Sequence, residues 1–237
     1  MDEANYPFLH KDSTIDVLSP FFKRDSTPPD IVIMLVEGLG RAFTNEDAYL
    51  GSFTPFLDSI SKHSLYWKNF LSNGGRTFAV LPSLLGSLPF GSNGFNELGD
   101  KMPAHLSLMS ILKSNGYHTS FQYGGDATFD NMALFLQKQK IDGIYDIKSF
   151  PADYPKLPEN NGFSWGYGDK ELFKQVLNRQ DGQAVQHPSL QVVLTVATHS
   201  PFLINEQEHY LSEVEQQMNR LHFTQKQKEE HRQYERQ

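Results

Sequence analysis

Ile31-Val32-Ile33-Met34-Leu35-Val36, followed by Glu37-Gly38-Leu39-Gly40, is the stretch on which the fold turns. Its apolar run shows no alternation and has the length of a strand rather than a helix. It predicts a strand buried on both faces, in the middle of an α/β sheet. The run ends in a carboxylate and two glycines. Open α/β sheets bind their ligands outside the carboxyl ends of their strands, so Glu37 becomes a candidate site residue. A hard oxygen donor on a rigid strand, beside glycines that admit a close neighbour, has the character of a metal ligand.

A second apolar run, Leu190 to Val196, ends in Ala197-Thr198-His199-Ser200-Pro201-Phe202. Between the two runs, strand and helix signals alternate. Thr54-Pro55 opens a helix with Thr54 as cap and Pro55 in the first turn. Ser64 to Phe70 alternates and predicts a strand. Asn73-Gly74-Gly75-Arg76 predicts a turn, with an apolar helix from Thr77. His105 to Asn115 has helical period and stops at Gly116. Thr119 to Tyr123 predicts a short strand, Gly124-Gly125-Asp126 a turn, Phe129 to Lys138 a helix and Ile144 to Ile147 a strand. Residues 148–168 read as an ordered loop, and Asp169 to Asn178 as a helix capped by Asp169. This order predicts an α/β sandwich with a largely parallel sheet.

The 237 residues (27.0 kDa) divide as a lead-in at 1–29, a catalytic-type α/β domain at 30–205 and a charged helix or tail at 206–237. In the last, Leu211, Val214, Met218 and Leu221 share one helical face, which docks up to about Phe223. With 38% hydrophobic residues there is material for a core, and 18 Phe and 10 Tyr build it largely on rings. Lys and Arg number 21 and Asp and Glu 28, so the net charge is −7. An acidic chain without a basic stripe predicts no nucleic-acid partner. The absence of cysteine excludes disulfides, thiolate metal sites and cysteine nucleophiles. No apolar stretch reaches the roughly 18–20 residues of a membrane span.

Three more constellations carry chemistry. Arg76-Thr77 opens a predicted helix, whose free N–H groups would favour an anion. There Thr77 can attack phosphorus or sulfur, and Arg76 offers a fork for non-bridging oxygens. His199, at the mouth of a sheet, can bind substrate oxygens or protonate a leaving group. Tyr123 and Asp126 flank a strand-to-helix turn and predict a substrate-pocket wall. Taken singly, Glu37 is equally a surface carboxylate, Thr77 a helix cap and His199 a structural histidine.

In combination, IVIMLVEGLG, the segment from TPFLDSI to GGRTFAVLPSLLGSLPFG, HTSFQYGGDATFDNM, GFSWGYGDKELF and VVLTVATHSPF resemble the sulfatase-like branch of the alkaline phosphatase superfamily over about residues 30–205. The nearest type is the lipoteichoic acid synthase or phosphoglycerol transferase. The resemblance implies a three-layer α/β/α sandwich with a mostly parallel, mixed sheet. It implies that Glu37 binds a divalent metal (Mn²⁺ first, with Mg²⁺, Zn²⁺ or Ca²⁺ as alternatives), that Thr77 is nucleophile and metal ligand, and that Arg76 and His199 contact substrate. The implied reaction takes a phosphoester, or a sulfoester, headgroup from a lipid or glycan through a threonine ester. The implied parent protein is membrane-anchored, with this part on the extracytoplasmic side.

The chain departs from that pattern in places. Tyr123 stands where synthases have His, Phe129-Asp130-Asn131 where they have Trp-Asn-Arg, and Thr198 where they have Asn. No Asp follows Asp181, so the Asp-His pair that completes the family's metal site is missing. The chain therefore reads as the N-terminal two-thirds of a catalytic domain, with an incomplete site and weak or no activity alone. A formylglycine sulfatase is disfavoured by Thr77. A non-catalytic module for anionic headgroups is the other alternative. An uncovered sheet predicts a homo-oligomer or a covering tail helix.

Overall fold

The computed structural model describes residues 14–23, 25–88, 90, 94–182 and 187–234. Residues 1–13 and 24 of the lead-in, 183–186 of the loop before the last strand and 235–237 of the tail lie outside the described residues. The first apolar run forms β1 (Ile31–Leu35). After it come α1 (Pro55–Ser61), α2 (Leu108–Ser114), β2 (His118–Tyr123), α3 (Met132–Lys138) and β3 (Gly143–Tyr145). α4 (Asp169–Gly182), β4 (Ser189–Leu194), α5 (Gln207–Arg220) and α6 (Gln225–Tyr234) complete the chain.

The strands lie in the order β1-β4-β2-β3, and every neighbouring pair is parallel. The described sheet is thus parallel throughout, in keeping with the mostly parallel sheet expected. Register decides where the site can form. Leu35 pairs with Leu194, and Leu194 with Tyr123. The carboxyl ends of three strands are therefore level, and the segments after them share one rim.

One face of the sheet carries Ile31, Ile33 and Leu35 of β1, Leu190, Val192 and Leu194 of β4, and Phe121 and Tyr123 of β2. Met109 of α2 and Met132, Phe135 and Leu136 of α3 cover it, together with Leu81 and Leu85. Full burial of each such side chain contributes about 1.5–3 kcal/mol. On the other face Val193 packs with Leu172 and Val176 of α4 and with Phe150 and Tyr167. Helices on both faces make three layers, as expected.

Three expectations need correction. The run at 31–36 is not buried on both faces. β1 has one neighbour among the described residues, and alternate side chains Val32 and Met34 are 52% and 51% exposed. Ser64 to Phe70 is loop, because its alternation meets no partner strand and leaves Tyr66, Trp67 and Phe70 exposed. Thr77 opens no regular helix: a 3-10 turn, Thr77–Ala79, runs into a π-helical Leu81–Leu85. Pro82 has no N–H for the Phe78 carbonyl, which takes the Asn96 side-chain amide instead (3.5 Å). A three-residue turn lacks the macrodipole that a regular helix would aim at an anion.

At the C-terminus α5 docks, as expected, but on the loop before α1 rather than on the sheet. Met218 is buried, Gln217 Nε2 donates to the Ser52 carbonyl (2.8 Å), and Phe223 meets Phe53 edge-on at 6.4 Å.

Candidate active site

Glu37 lies two residues past β1, and β4's following segment holds it. Its N–H donates to Thr195 Oγ1 (2.8 Å), and its carbonyl accepts from Thr198 Oγ1. Thr198 thus ties two strand ends together. Gly38 takes φ +62°, and its Cα faces Thr198 at a distance where a Cβ would touch Oγ1 at 3.4 Å. With its backbone fixed, Glu37 extends its carboxylate over the rim, where Oε2 accepts a hydrogen bond from the Thr77 hydroxyl. Forty residues apart in sequence, the two side chains meet directly.

Tyr123 ends β2 at the same rim and is buried. Burial pushes its phenol well above the usual tyrosine range, and the Glu37 carboxylate adds to the shift. It therefore stays a neutral O–H donor through neutral and mildly alkaline pH. Its ring stands over Gly125, where a Cβ would lie 2.7 Å from it. Gly124 allows another close approach. Its carbonyl accepts from Tyr167 N–H (2.9 Å), which anchors the loop carrying Trp165.

His199 follows β4. Its Nδ1 lies 2.9 Å from the Ser200 carbonyl. A carbonyl only accepts, so Nδ1 carries the proton and Nε2 is left for a ligand. Trp165 Nε1–H donates to the same carbonyl (2.8 Å), and its ring lies 4.0 Å from the imidazole, centroid to centroid. Phe129 and Phe163 pack edge-on against Trp165.

A cleft of about 300 Å³ gathers Glu37, Arg76, Thr77, Tyr123 and His199, and Phe129, Asp130 and Trp165 also wall it. Asp126, expected beside Tyr123, is not on this wall. Its carboxylate accepts from Thr128 N–H (2.9 Å) and Oγ1–H (2.7 Å), and these bonds hold its pKa below the usual value. Trp165 was not singled out in the sequence, and Phe129 and Asp130 only as part of the departure at Phe129-Asp130-Asn131. GFSWGYG contains Trp165, but an isolated loop aromatic has no period to betray its direction.

Asp169, read as a helix cap, turns instead to the end of β4. Its Oδ1 accepts from the N–H groups of Val196 (2.8 Å) and Ala197 (3.2 Å), three and two residues before His199. Burial raises its pKa above the ordinary value, the two N–H bonds lower it, and Glu37's charge raises it; the net direction is upward.

Comparison with known proteins supplies the family. The family model described as Sulfatase matches residues 29–235. The chain belongs to the Sulfatase family. As a family member it is 26% identical over 190 residues to phosphoglycerol transferase I of Xanthomonas axonopodis pv. citri, covering 77% of this chain and 26% of that protein. It is 30% identical over 189 residues to the lipoteichoic acid synthase of Staphylococcus saprophyticus, covering 76% and 28%. This Sulfatase-family chain thus spans about a quarter of the length of those relatives. Among solved structures, an alkaline phosphatase superfamily protein from Vibrio parahaemolyticus superposes with TM-score 0.65 at 27% identity, covering 77% of this chain and 44% of the other. The fold is also that of the lipoteichoic acid synthase LtaP from Listeria monocytogenes, with TM-score 0.63 at 22% identity over 76% of this chain and 43% of the other.

The family implies a divalent metal. Glu37 Oε2 and Thr77 Oγ1 are hard oxygen donors side by side, the right kind for Mn²⁺ or Mg²⁺. Among the described residues no three His, Asp or Glu side chains converge on one point, whereas such an ion takes about six ligands. The donors fit the ion in kind and fall short in number. No helix among the described residues is long and apolar enough to cross a membrane.

Proposed function

We propose that this chain carries the nucleophile side of a phosphoester-transferring site for a lipid- or glycan-linked headgroup. The hydrogen bond from Thr77 to Glu37, at the rim of a cleft that also holds Arg76 and His199, carries the reading. Glu37 accepts the Thr77 hydroxyl hydrogen and so raises electron density on Oγ1. Arg76 is exposed at the cleft and has no ion pair among the described residues, which leaves its fork free for the non-bridging phosphoryl oxygens. Oγ1 forms the bond to phosphorus as the leaving oxygen departs, the Thr77 proton passes to Glu37, and His199 in its doubly protonated form gives the Nε2 proton to the leaving oxygen. Water or an acceptor hydroxyl then releases the threonine ester. Tyr123 contributes a neutral O–H donor to the same wall.

The names of the relatives, phosphoglycerol transferase and lipoteichoic acid synthase, support phosphorus over sulfur, as does a threonine where a formylglycine precursor would be needed. The extracytoplasmic setting and membrane-anchored parent that the family resemblance implies fit such a headgroup substrate. Incubation with bis(p-nitrophenyl) phosphate and Mn²⁺ tests the reading. The expected result is slow, sub-stoichiometric p-nitrophenolate release, with a phosphoryl ester on the peptide bearing Thr77. Thr77→Ala removes the adduct. An adduct on another residue, or release unaffected by Thr77→Ala, overturns the assignment.

A further inference from the structure

The loop before α4 carries Trp165 to the cleft on a small hairpin. Lys156 bridges Tyr167 and Asn160 bridges Phe163, both antiparallel. At the tip Asn161 and Gly162 take positive φ, 52° and 78°, as in the two-residue turn that favours Asn-Gly. Ser164 Oγ–H donates to the Leu157 carbonyl (2.9 Å) and ties the two arms together. Trp165 then stands between two other segments of the rim. Phe129 and Phe163 meet its ring edge-on, at 5.7 and 5.1 Å, and the His199 imidazole lies 4.0 Å from it at a tilt of 51°.

The Ser200 carbonyl receives two donors, Trp165 Nε1–H (2.8 Å) and His199 Nδ1–H (2.9 Å). A carbonyl oxygen has two lone pairs, and both are used. Ser200 is exposed, so without the indole water would compete for this oxygen and the imidazole could turn over. The backbone of the segment does not depend on Trp165. Asp169 holds the N–H groups of Val196 and Ala197, and His199 N–H donates to the Val196 carbonyl (3.0 Å). Trp165 therefore acts on the side chain of His199 rather than on its place in the chain. We infer that Trp165 is a positioning residue for the acid of the transfer step. By pinning the Ser200 carbonyl and covering one face of the imidazole, it keeps a hydrogen on Nδ1. Nε2, which has no partner among the described residues, is thereby reserved for the proton that passes to the leaving oxygen. The inference rests on the phosphoryl-site reading above.

Nitrogen-15 NMR of the chain labelled in its histidine side chains tests it. Spectra are taken without added metal at about pH 8, where imidazoles are neutral, and His199→Gln assigns the signals. In the unaltered chain His199 should carry its hydrogen on Nδ1 in at least about tenfold excess. Trp165→Phe keeps a ring, loses the N–H, and should cut that excess about fivefold; Trp165→Leu should cut it further. His105 is the internal control. Packed between Phe95 and Phe135, it has Nδ1 3.0 Å from the Pro103 carbonyl and Nε2 2.7 Å from Gln139 Nε2, which fixes the same tautomer. A general loosening of the fold moves both histidines, whereas the positioning role moves His199 alone. In the Thr77 adduct assay, Trp165→Phe should slow diphenyl phosphate about fivefold more than bis(p-nitrophenyl) phosphate, because the more basic phenolate needs the proton more. A His199 tautomer indifferent to both Trp165 variants, a shift of His199 and His105 together, or equal slowing of the two esters overturns the inference and leaves the phosphoryl site standing. Absence of the Thr77 adduct from the unaltered chain removes the phosphoryl-site reading and the inference with it.

Discussion

Asp169 connects packing to the site through a single carboxylate. Burial raises its pKa, with Glu37 adding to the rise against the two N–H bonds. A folded-state pKa above the unfolded one means that the folded chain binds the proton more tightly. The stability from this group is then fully present below about pH 4, the unfolded carboxylate value, and declines as pH rises through the folded value. Asp169→Asn keeps an acceptor for Val196 and Ala197 and removes the charge. It should therefore match or exceed the unaltered chain in melting temperature at pH 7, with a flatter pH dependence between pH 4 and 7. Asp169→Ala loses both bonds and should cost about 2–3 kcal/mol. Melting curves of the three proteins across that range check the sign. A second residue-scale prediction concerns the donor pair. With only Glu37 and Thr77 as ligands, Mn²⁺ should bind with a dissociation constant of about 10⁻⁴ M or weaker, and Glu37→Gln should abolish binding; calorimetry showing tighter binding would refute the two-donor account. Glu37, Thr77 and His199 were legible in the sequence because each directly follows a strand or turn signal. Asp130 stood out only within the departure Phe129-Asp130-Asn131; that it lines the cleft while Asp126 does not was hidden, since both belong to one turn whose direction depends on the left-handed backbone at 130 and 131.

The turn after β2 and the loop before α4 are fitted to each other at distances that only glycine permits. A Cβ on Gly124 would lie 2.0 Å from the Tyr167 carbonyl oxygen, and one on Gly166 would lie 2.4 Å from the Gly124 carbonyl oxygen. Both obstacles are backbone, which cannot swing aside as a side chain can. Gly124→Ala should therefore cost about 3 kcal/mol or more and should change the Trp165 fluorescence by shifting its loop. Gly75→Ala has open space around its Cβ and should change stability by no more than about 0.5 kcal/mol. Urea denaturation of the two variants separates these outcomes. The glycines were visible as turn signals, but a turn signal does not disclose what approaches it from a distant part of the sequence. The same blindness to partners explains the false strand at Ser64 to Phe70, where alternation was present and pairing was not. At Thr77 the apolar content was read correctly and the helix type was not, because Pro82 forces the backbone out of the α ladder.

Across the whole molecule, the parallel sheet and its two helical layers followed from two long apolar runs and the alternation between them. The place of β1 in the sheet did not, because an unbroken apolar strand looks the same whether both of its faces are covered or one. In the structure α4 packs over β4 and β2, while Val32, Met34 and Val36 stand exposed along one side of β1, with exposed Leu39 just beyond. Contiguous apolar residues of this kind drive association when nothing covers them, and the edge of β1 that pairs with no strand among the described residues adds unpaired backbone groups. The chain should therefore self-associate at micromolar concentrations even though its net charge of −7 opposes contact. Val32→Lys with Met34→Lys places charge on the open face without touching Ile31, Ile33 or Leu35, which point to the core. Sedimentation velocity should show the unaltered chain shifting to larger species with concentration and the double variant remaining monomeric. Added salt discriminates the cause: it screens the repulsion between acidic chains and strengthens apolar association, so the unaltered chain should associate more in high salt. Dissociation in high salt would assign the contact to ion pairs elsewhere on the surface.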